Sequence, residues 1–277
     1  MASGSLAPPA AHRLRLALQV RFHRTRLLGR LTRFFGSFLL LIALWLALAP
    51  VVPHYYLPMP SSVVAGIVDS LTIGVLPAYI GDSVRHLLLA GLVGIVVGVP
   101  LGVLIGLSRP VSAFFYPLLN FFQALSGIAW MPMIIVWFGF NETSIIAAVN
   151  YTVLFPVIFN TMTGVRTVPR IYSNAAQTLG ANRWIVIRDV MIPGALPNIV
   201  TGIRLGFAYG WRAMIAAEML VGANGLGFMI FNAQAQGETP QIVAGMLFIG
   251  TLWLMLDQLW LRPFEVATIQ RWGLVGR

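Results

Sequence analysis

The stretch VRHLLLAGLVGIVVGVPLGVLIGL, residues 84–107, decides the fold. Its only ionisable residues, Arg85 and His86, stand at its start. At ~1.5 Å per residue these residues make a helix of ~36 Å, enough to cross a hydrocarbon core of ~30 Å. Gly91, Gly94, Gly98, Gly102 and Gly106 recur along it, and such a stripe lets another helix approach closely.

The whole chain has the same character. Of 277 residues, 58% are hydrophobic and 9% are charged, with a mean hydropathy of +0.84. Soluble domains carry roughly a quarter of their residues as charges, so lipid is the outer solvent here. Working outward from residues 84–107, further apolar runs cover Phe34 to Pro50, Phe114 to Phe140, Ser144 to Gly164, Leu196 to Val221 and Ile242 to Leu261. Pro117 and Pro132 interrupt the run after Phe114, which reads as a kinked span or as a short helix followed by a span. The expectation is an all-α, polytopic membrane protein of about six spans. Residues 1–33 form an arginine-rich head, 34–262 the transmembrane domain and 263–277 a tail.

Charge placement fixes an orientation. The net charge is +10, and all 18 basic residues are arginine. Basic residues collect in short cytoplasmic segments. Seven arginines precede the first run, Arg109 follows the second, and Arg166, Arg170, Arg183 and Arg188 lie between the fourth and fifth. Arg262, Arg271 and Arg277 close the chain, whereas Asp69, Asp82, Glu142 and Glu238 fall in the alternate connections. Both termini are therefore expected in the cytoplasm, with the head touching anionic lipid. A signal peptide ending near Ala49 is disfavoured by the length of the basic head and by Pro50 directly after the cut. The head does not interleave aromatics with basic residues as a nucleic-acid binder does.

The absences exclude chemistry. Without lysine there is no P-loop lysine and no Schiff base. Without cysteine there is no thiol nucleophile, disulfide or thiolate metal site. His12, His23, His54 and His86 show no metal-binding spacing. The expectation is a protein that is not an enzyme, holds no metal and no cofactor, and binds no nucleic acid.

The connection from about Arg166 to Ala195 is the most informative. Pro169 opens a helix, Ile171, Ala175, Thr178 and Leu179 recur at helical spacing, and Gly180 stops it. A second amphipathic element then runs through Trp184, Ile187, Arg188 and Met191 until Pro193 and Pro197. Ala175 and Ala176 leave the first helix thin enough to enter a groove of another protein.

At these residues the chain resembles the permease subunits of bacterial binding-protein-dependent ABC importers, whose loop reads E-A-A-x3-G-x9-I-x-L-P. Here it stands as Asn174-Ala175-Ala176, Gly180 and Val190-Met191-Ile192-Pro193, with Asn174 in place of the glutamate. Leu57-Pro58-Met59-Pro60, Trp130-Met131-Pro132, Trp137-Phe138-Gly139, Ala216-Ala217-Glu218 and Gly225-Leu226-Gly227 resemble the nitrate, sulfonate and taurine branch. Two positions depart from that branch. Leu125-Ser126-Gly127-Ile128 stands where it has a proline-rich turn, and His86 where it has an arginine.

The resemblance implies a type I importer fold in the bacterial cytoplasmic (inner) membrane. It implies a second permease copy, giving a homodimer, and two ATP-binding subunits that hold ATP and magnesium. It also implies a periplasmic or lipid-anchored solute-binding protein. The coupling residues carried over are Asn174, Ala175, Ala176, Leu179, Gly180, Ala181, Arg183 and Pro193.

Ionisable residues within spans need a partner or a path. Arg204 and Asp257 lie at similar depth and are expected to pair. Arg212 falls near the middle of its span and, at ~100° per residue, points ~120° away from Glu218. Arg212 and Glu218 are the candidates for the translocation path; Arg212 reads equally as a buried structural arginine bonded to carbonyls or another span, Glu218 as a packing pair, and an Arg212 facing the path favours anions. The expected function is half of the membrane path of an importer for a small anion of the sulfonate, nitrate or carboxylate type. The alternatives are an ion-coupled secondary transporter, for which no internal repeat is visible, and a membrane assembly protein without a path.

Overall fold

A computed structural model describes residue 36 and residues 38–272, with side-chain surroundings as far as residue 268. The arginine-rich head and the last five residues lie outside the described part, so the topology read from the head is not tested by it. Contacts divide the chain between Ser62 and Val63. In the first unit, helix α1 (Phe38–Leu48) ends in turns, and Trp45 Nε1 donates to the Pro58 carbonyl at 3.0 Å. Eleven of its residues, and residue 36 before them, are described as helical, so the span expected over Phe34 to Pro50 lies partly outside the described residues.

All the regular structure described in the second unit is helical. It comprises α2 (Pro60–Thr72, which starts at the division), α3 (Val75–Leu107), α4 (Arg109–Ala124), α5 (Met131–Phe138), α6 (Glu142–Thr167) and α7 (Arg170–Thr178). After these come α8 (Arg183–Ile185), α9 (Ile192–Val221), α10 (Leu226–Gln236), α11 (Thr239–Leu256) and α12 (Arg262–Trp272). Four helical stretches are long and apolar enough to cross a bilayer: Val75–Leu107, Glu142–Thr167, Arg183–Val221 and Thr239–Thr268. The run expected as a third span is two helices, Arg109–Ala124 and Gly127–Phe138, bent by 83°. Counting that pair as one span gives five among the described residues.

Helix α6 is the centre of the bundle, packed between α3 and α9. The sequence builds this by matching two four-residue ladders. A Cβ added at Gly94, Gly98 or Gly106 of α3 would lie 2.8–2.9 Å from Val153, Val157 or Val165 of α6, and at Gly102 it would lie 2.6 Å from Thr161. Residues four apart share one helix face, so the glycines receive the branched side chains rung by rung. Gly202 and Gly210 of α9 meet Asn160 and Val153 of α6 at 2.6 and 2.7 Å by the same measure, Val153 serving both contacts. The backbones approach closely because no side chain separates them.

The ends of α6 are also set locally. Asn141 accepts a hydrogen bond from the Ser144 N–H at 3.3 Å, Glu142 lies in the first turn and Arg166 in the last. That charge order complements the helix dipole.

Two expected stops are not stops. The polypeptide remains helical from Arg183 to Val221 through Pro193 and Pro197. A π turn over Val186–Met191 precedes α9, and Pro193 sits in the first turn after it. A proline there removes an N–H that the widened turn leaves without a regular partner. A second π turn over Asp257–Leu261 joins α11 to α12. The helix therefore continues past residue 262, where the sequence suggested that the tail begins.

Candidate functional site

Three groups of residues are candidates for function. The first is the segment after α6. Helix α7 begins after Pro169 and ends at Leu179, where the Leu179 N–H donates to the Ala175 carbonyl at 3.1 Å. Gly180 has φ +88°, a left-handed turn that glycine makes without strain. The Ala181 N–H reaches back to the Ala176 carbonyl at 3.0 Å. Asn182 then caps α8 by accepting from the Ile185 N–H at 2.9 Å.

No residue of α7 is buried. Leu179 is 88% exposed and Trp184 is 78% exposed, with Ile171 beside them on the surface. Asn174, Ala175 and Arg183 are exposed, Ala176 and Ala181 half-buried, and Pro193 half-buried at the base of α9. A short helix, closed at its C-terminal end by the Gly180 turn, thus presents apolar tips outward.

The second group surrounds Arg212. Its side chain is exposed and has no ion-pair partner among the described residues. It lines a cavity of about 400 Å³ together with Gln123, Ser126, Tyr151, Thr152 and Tyr209. The Tyr151 hydroxyl is already engaged, accepting from Trp130 Nε1 at 3.1 Å and donating to the Phe122 carbonyl at 2.5 Å. Leu125, Ser126, Gly127 and Ile128, the residues that depart from the branch pattern, form one wall. The break between α4 and α5 opens this cavity, and neither Pro117 nor Pro132 lies at the break.

The third group comprises the paired ionisable residues of the spans, partly buried around Arg204 and fully buried at Glu218. Arg204 donates through Nε and Nη2 to the two carboxylate oxygens of Asp257 at 2.9 and 3.1 Å. Its Nη1 also donates to Glu265, whose other oxygen accepts from Thr201 Oγ1 at 3.1 Å. Glu265 was not singled out from sequence, because eight residues at α-helical pitch turn it ~80° from Asp257. The π turn absorbs one residue, so the spacing acts as seven and brings both acids to one face.

Glu218 does not line the Arg212 cavity. It is fully buried where α3, α9 and α10 meet. Ser83 Oγ donates to its carboxylate at 2.9 Å, the Gly227 N–H donates at 2.9 Å, and His86 Nδ1 lies 3.0 Å from Oε1. Gly225, at φ +111°, passes so close that an added Cβ would strike the carboxyl group. Arg85, one place before His86, turns outward and pairs with Glu142. No group of three or more His, Asp or Glu residues placed to hold a metal occurs among the described residues.

Residues 98–256 match the family described as "Binding-protein-dependent transport system inner membrane component". The taurine transport system permease protein TauC of Escherichia coli (strain K12) is 30% identical over 229 residues, 80% of this chain and 83% of that one. The bicarbonate transport system permease protein CmpB of Synechococcus elongatus is 35% identical over 180 residues, 65% of this chain and 63% of its own length. A solved structure of the MetNI methionine ABC transporter, in an inward-facing conformation, superposes with a TM-score of 0.61 at 19% identity. That superposition covers 71% of this chain and 97% of the other, which establishes the fold as that of a type I importer permease. The chain is a multi-pass membrane protein and belongs to the permease family of binding-protein-dependent ABC importers, in the branch of the taurine and bicarbonate permeases.

Proposed function

We propose that this chain forms half of the translocation path of an importer for a small anionic solute and docks on a separate ATPase subunit through α7, Gly180 and α8. The carrying observation is the surface of that segment. Leu179 and Trp184 are the most exposed large apolar side chains of the segment, and they follow a thin helix bearing Ala175 and Ala176. Exposed apolar tips on a short element closed at its C-terminal end fit a groove in another protein. The segment lies at the end of the bundle that carries Arg109, Arg166 and Arg170, which the basic-residue rule puts in the cytoplasm.

In this reading two copies of the chain pair to enclose a path, and two ATPase subunits bind ATP and magnesium beneath them. A solute-binding protein delivers cargo on the opposite face, in the cytoplasmic membrane of a bacterium. The chain itself holds no cofactor. ATP binding draws the ATPase subunits together, and α7 transmits that movement to α6 and α9, between which it is spliced. Arg212 supports an anionic cargo, because an unpaired guanidinium in a cavity stabilises sulfonate or carboxylate oxygens. The names of relatives, one for taurine and one for bicarbonate, point to the same class.

Reconstitution of the full chain in proteoliposomes, with and without its ATPase subunit and binding protein, tests this reading. ATP-dependent uptake of an anion is expected only with all three. Uptake driven by an ion gradient without the ATPase subunit overturns it.

A further inference from the structure

We propose that the cavity between the first turns of α4 and α7 is a binding site for a tetrahedral oxyanion of the phosphate or sulfate class, separate from the Arg212 cavity. It has a volume of about 720 Å³. Its polar lining includes Arg109, Arg166, Arg170, Ser112, Ser173 and Tyr116, with no Asp or Glu. None of the three arginines makes an ion pair among the described residues. All three arginines are exposed, and together they give the cavity a positive potential that attracts an anion.

The backbone adds charge of the same sign. Helix α4 has 16 residues and starts at Arg109; α7 has 9 and starts at Arg170. Neither N-cap, Ser108 or Pro169, makes a side-chain cap hydrogen bond, and neither first turn contains an acid. The partial positive charge of both helix ends is therefore uncompensated where they meet the cavity.

Ser112 supplies an independent sign. It lines the cavity and is only 4% exposed, yet its hydroxyl has no hydrogen-bond partner among the described residues. The hydroxyl is not itself enclosed but opens onto the cavity, where an oxyanion gives it an acceptor. A volume of this size also accommodates an organic body or waters attached to the anion. Two sources present this chemistry, a free cytoplasmic anion and the phosphate of an anionic lipid.

The test titrates inorganic phosphate into the purified full-length chain at constant ionic strength by calorimetry. One arm uses nanodiscs of phosphatidylcholine and the other nanodiscs of phosphatidylglycerol. Saturable phosphate binding in the phosphatidylcholine arm is expected, weakened at least tenfold by Arg109→Gln or Arg170→Gln, and unchanged by Arg262→Gln at an exposed site outside the cavity. Equal binding in both arms assigns the site to a free anion. Loss of phosphate binding in phosphatidylglycerol, with retention of that lipid through detergent extraction only while Arg109 and Arg170 are present, assigns it to the headgroup. If the wild-type chain shows neither saturable phosphate binding nor arginine-dependent lipid retention, the proposal is overturned. That outcome is read on the wild type, so poor folding of a variant cannot mask it.

Discussion

His86 and Glu218, 132 residues apart in sequence, meet inside the bundle with Nδ1 3.0 Å from Oε1 and both side chains fully buried. The contact joins the first half of α3 to the end of α9, and through Gly227 it also anchors the turn into α10. Glu218 is thereby committed to positioning three helices.

Removing the Glu218 carboxyl group leaves Ser83 and the Gly227 N–H without an acceptor inside an apolar setting. Breaking a buried polar cluster from one side costs on the order of 3 kcal/mol. Glu218→Ala is expected to lower the melting temperature of the detergent-solubilised chain far more than Glu142→Ala, whose pair with Arg85 is solvent-exposed. Equal effects of the two substitutions contradict the role assigned to Glu218.

The glycine ladder makes a prediction with its own control. A Cβ at Gly102 falls 2.8 Å from the Ile158 carbonyl, which is backbone and cannot swing aside. Gly102→Ala is therefore expected to destabilise by about 1–3 kcal/mol. Gly250→Ala, where an added Cβ meets nothing within 4 Å, is expected to be neutral or slightly stabilising. Melting curves of the two variants in one detergent decide this.

Arg204 serves two acids with one planar group. A lysine supplies a single ammonium and cannot reproduce both the Asp257 fork and the Glu265 bond. Arg204→Lys is expected to lose about 1 kcal/mol and Arg204→Ala about 2 kcal/mol, with partial exposure limiting both. Chemical denaturation in mixed micelles measures the difference. An Arg204→Lys chain as stable as the wild type refutes the shared role.

Arg212 differs from the other intramembrane ions because nothing among the described residues depends on it for pairing. Arg212→Gln is expected to leave the melting temperature unchanged and to reduce anion uptake at least tenfold in the reconstituted complex. Unchanged uptake with normal assembly removes Arg212 from the path.

Much of this fold follows from local rules. The apolar length of residues 84–107, its glycines and the Gly180 turn each act within one helix or one turn, so they are legible without neighbours. Relationships across helices are less so. The partner of His86 depends on the register between α3 and α9, and the spans alone do not specify that register. Glu265 escaped because a π turn shifts the helical phase, and the sequence DQLWL carries no local mark of that shift. The prolines misled in a consistent direction. Pro193 and Pro197 lie inside a continuous helix, while the real break at Leu125–Ser126 contains no proline. There Gly127 approaches Thr152 of α6 too closely for a side chain, so packing rather than propensity sets the bend.

The central claim is that α7, Gly180 and α8 form the contact through which an ATPase subunit acts on the spans. Leu179, 88% exposed and unneeded by the core, is the most direct point of attack. The decisive measurement is the affinity of the ATPase subunit for nanodisc-embedded wild-type and Leu179→Asp chains, read beside their melting temperatures. The account predicts a loss of at least tenfold in affinity with no change in melting temperature. Equal affinity of the two chains would contradict it.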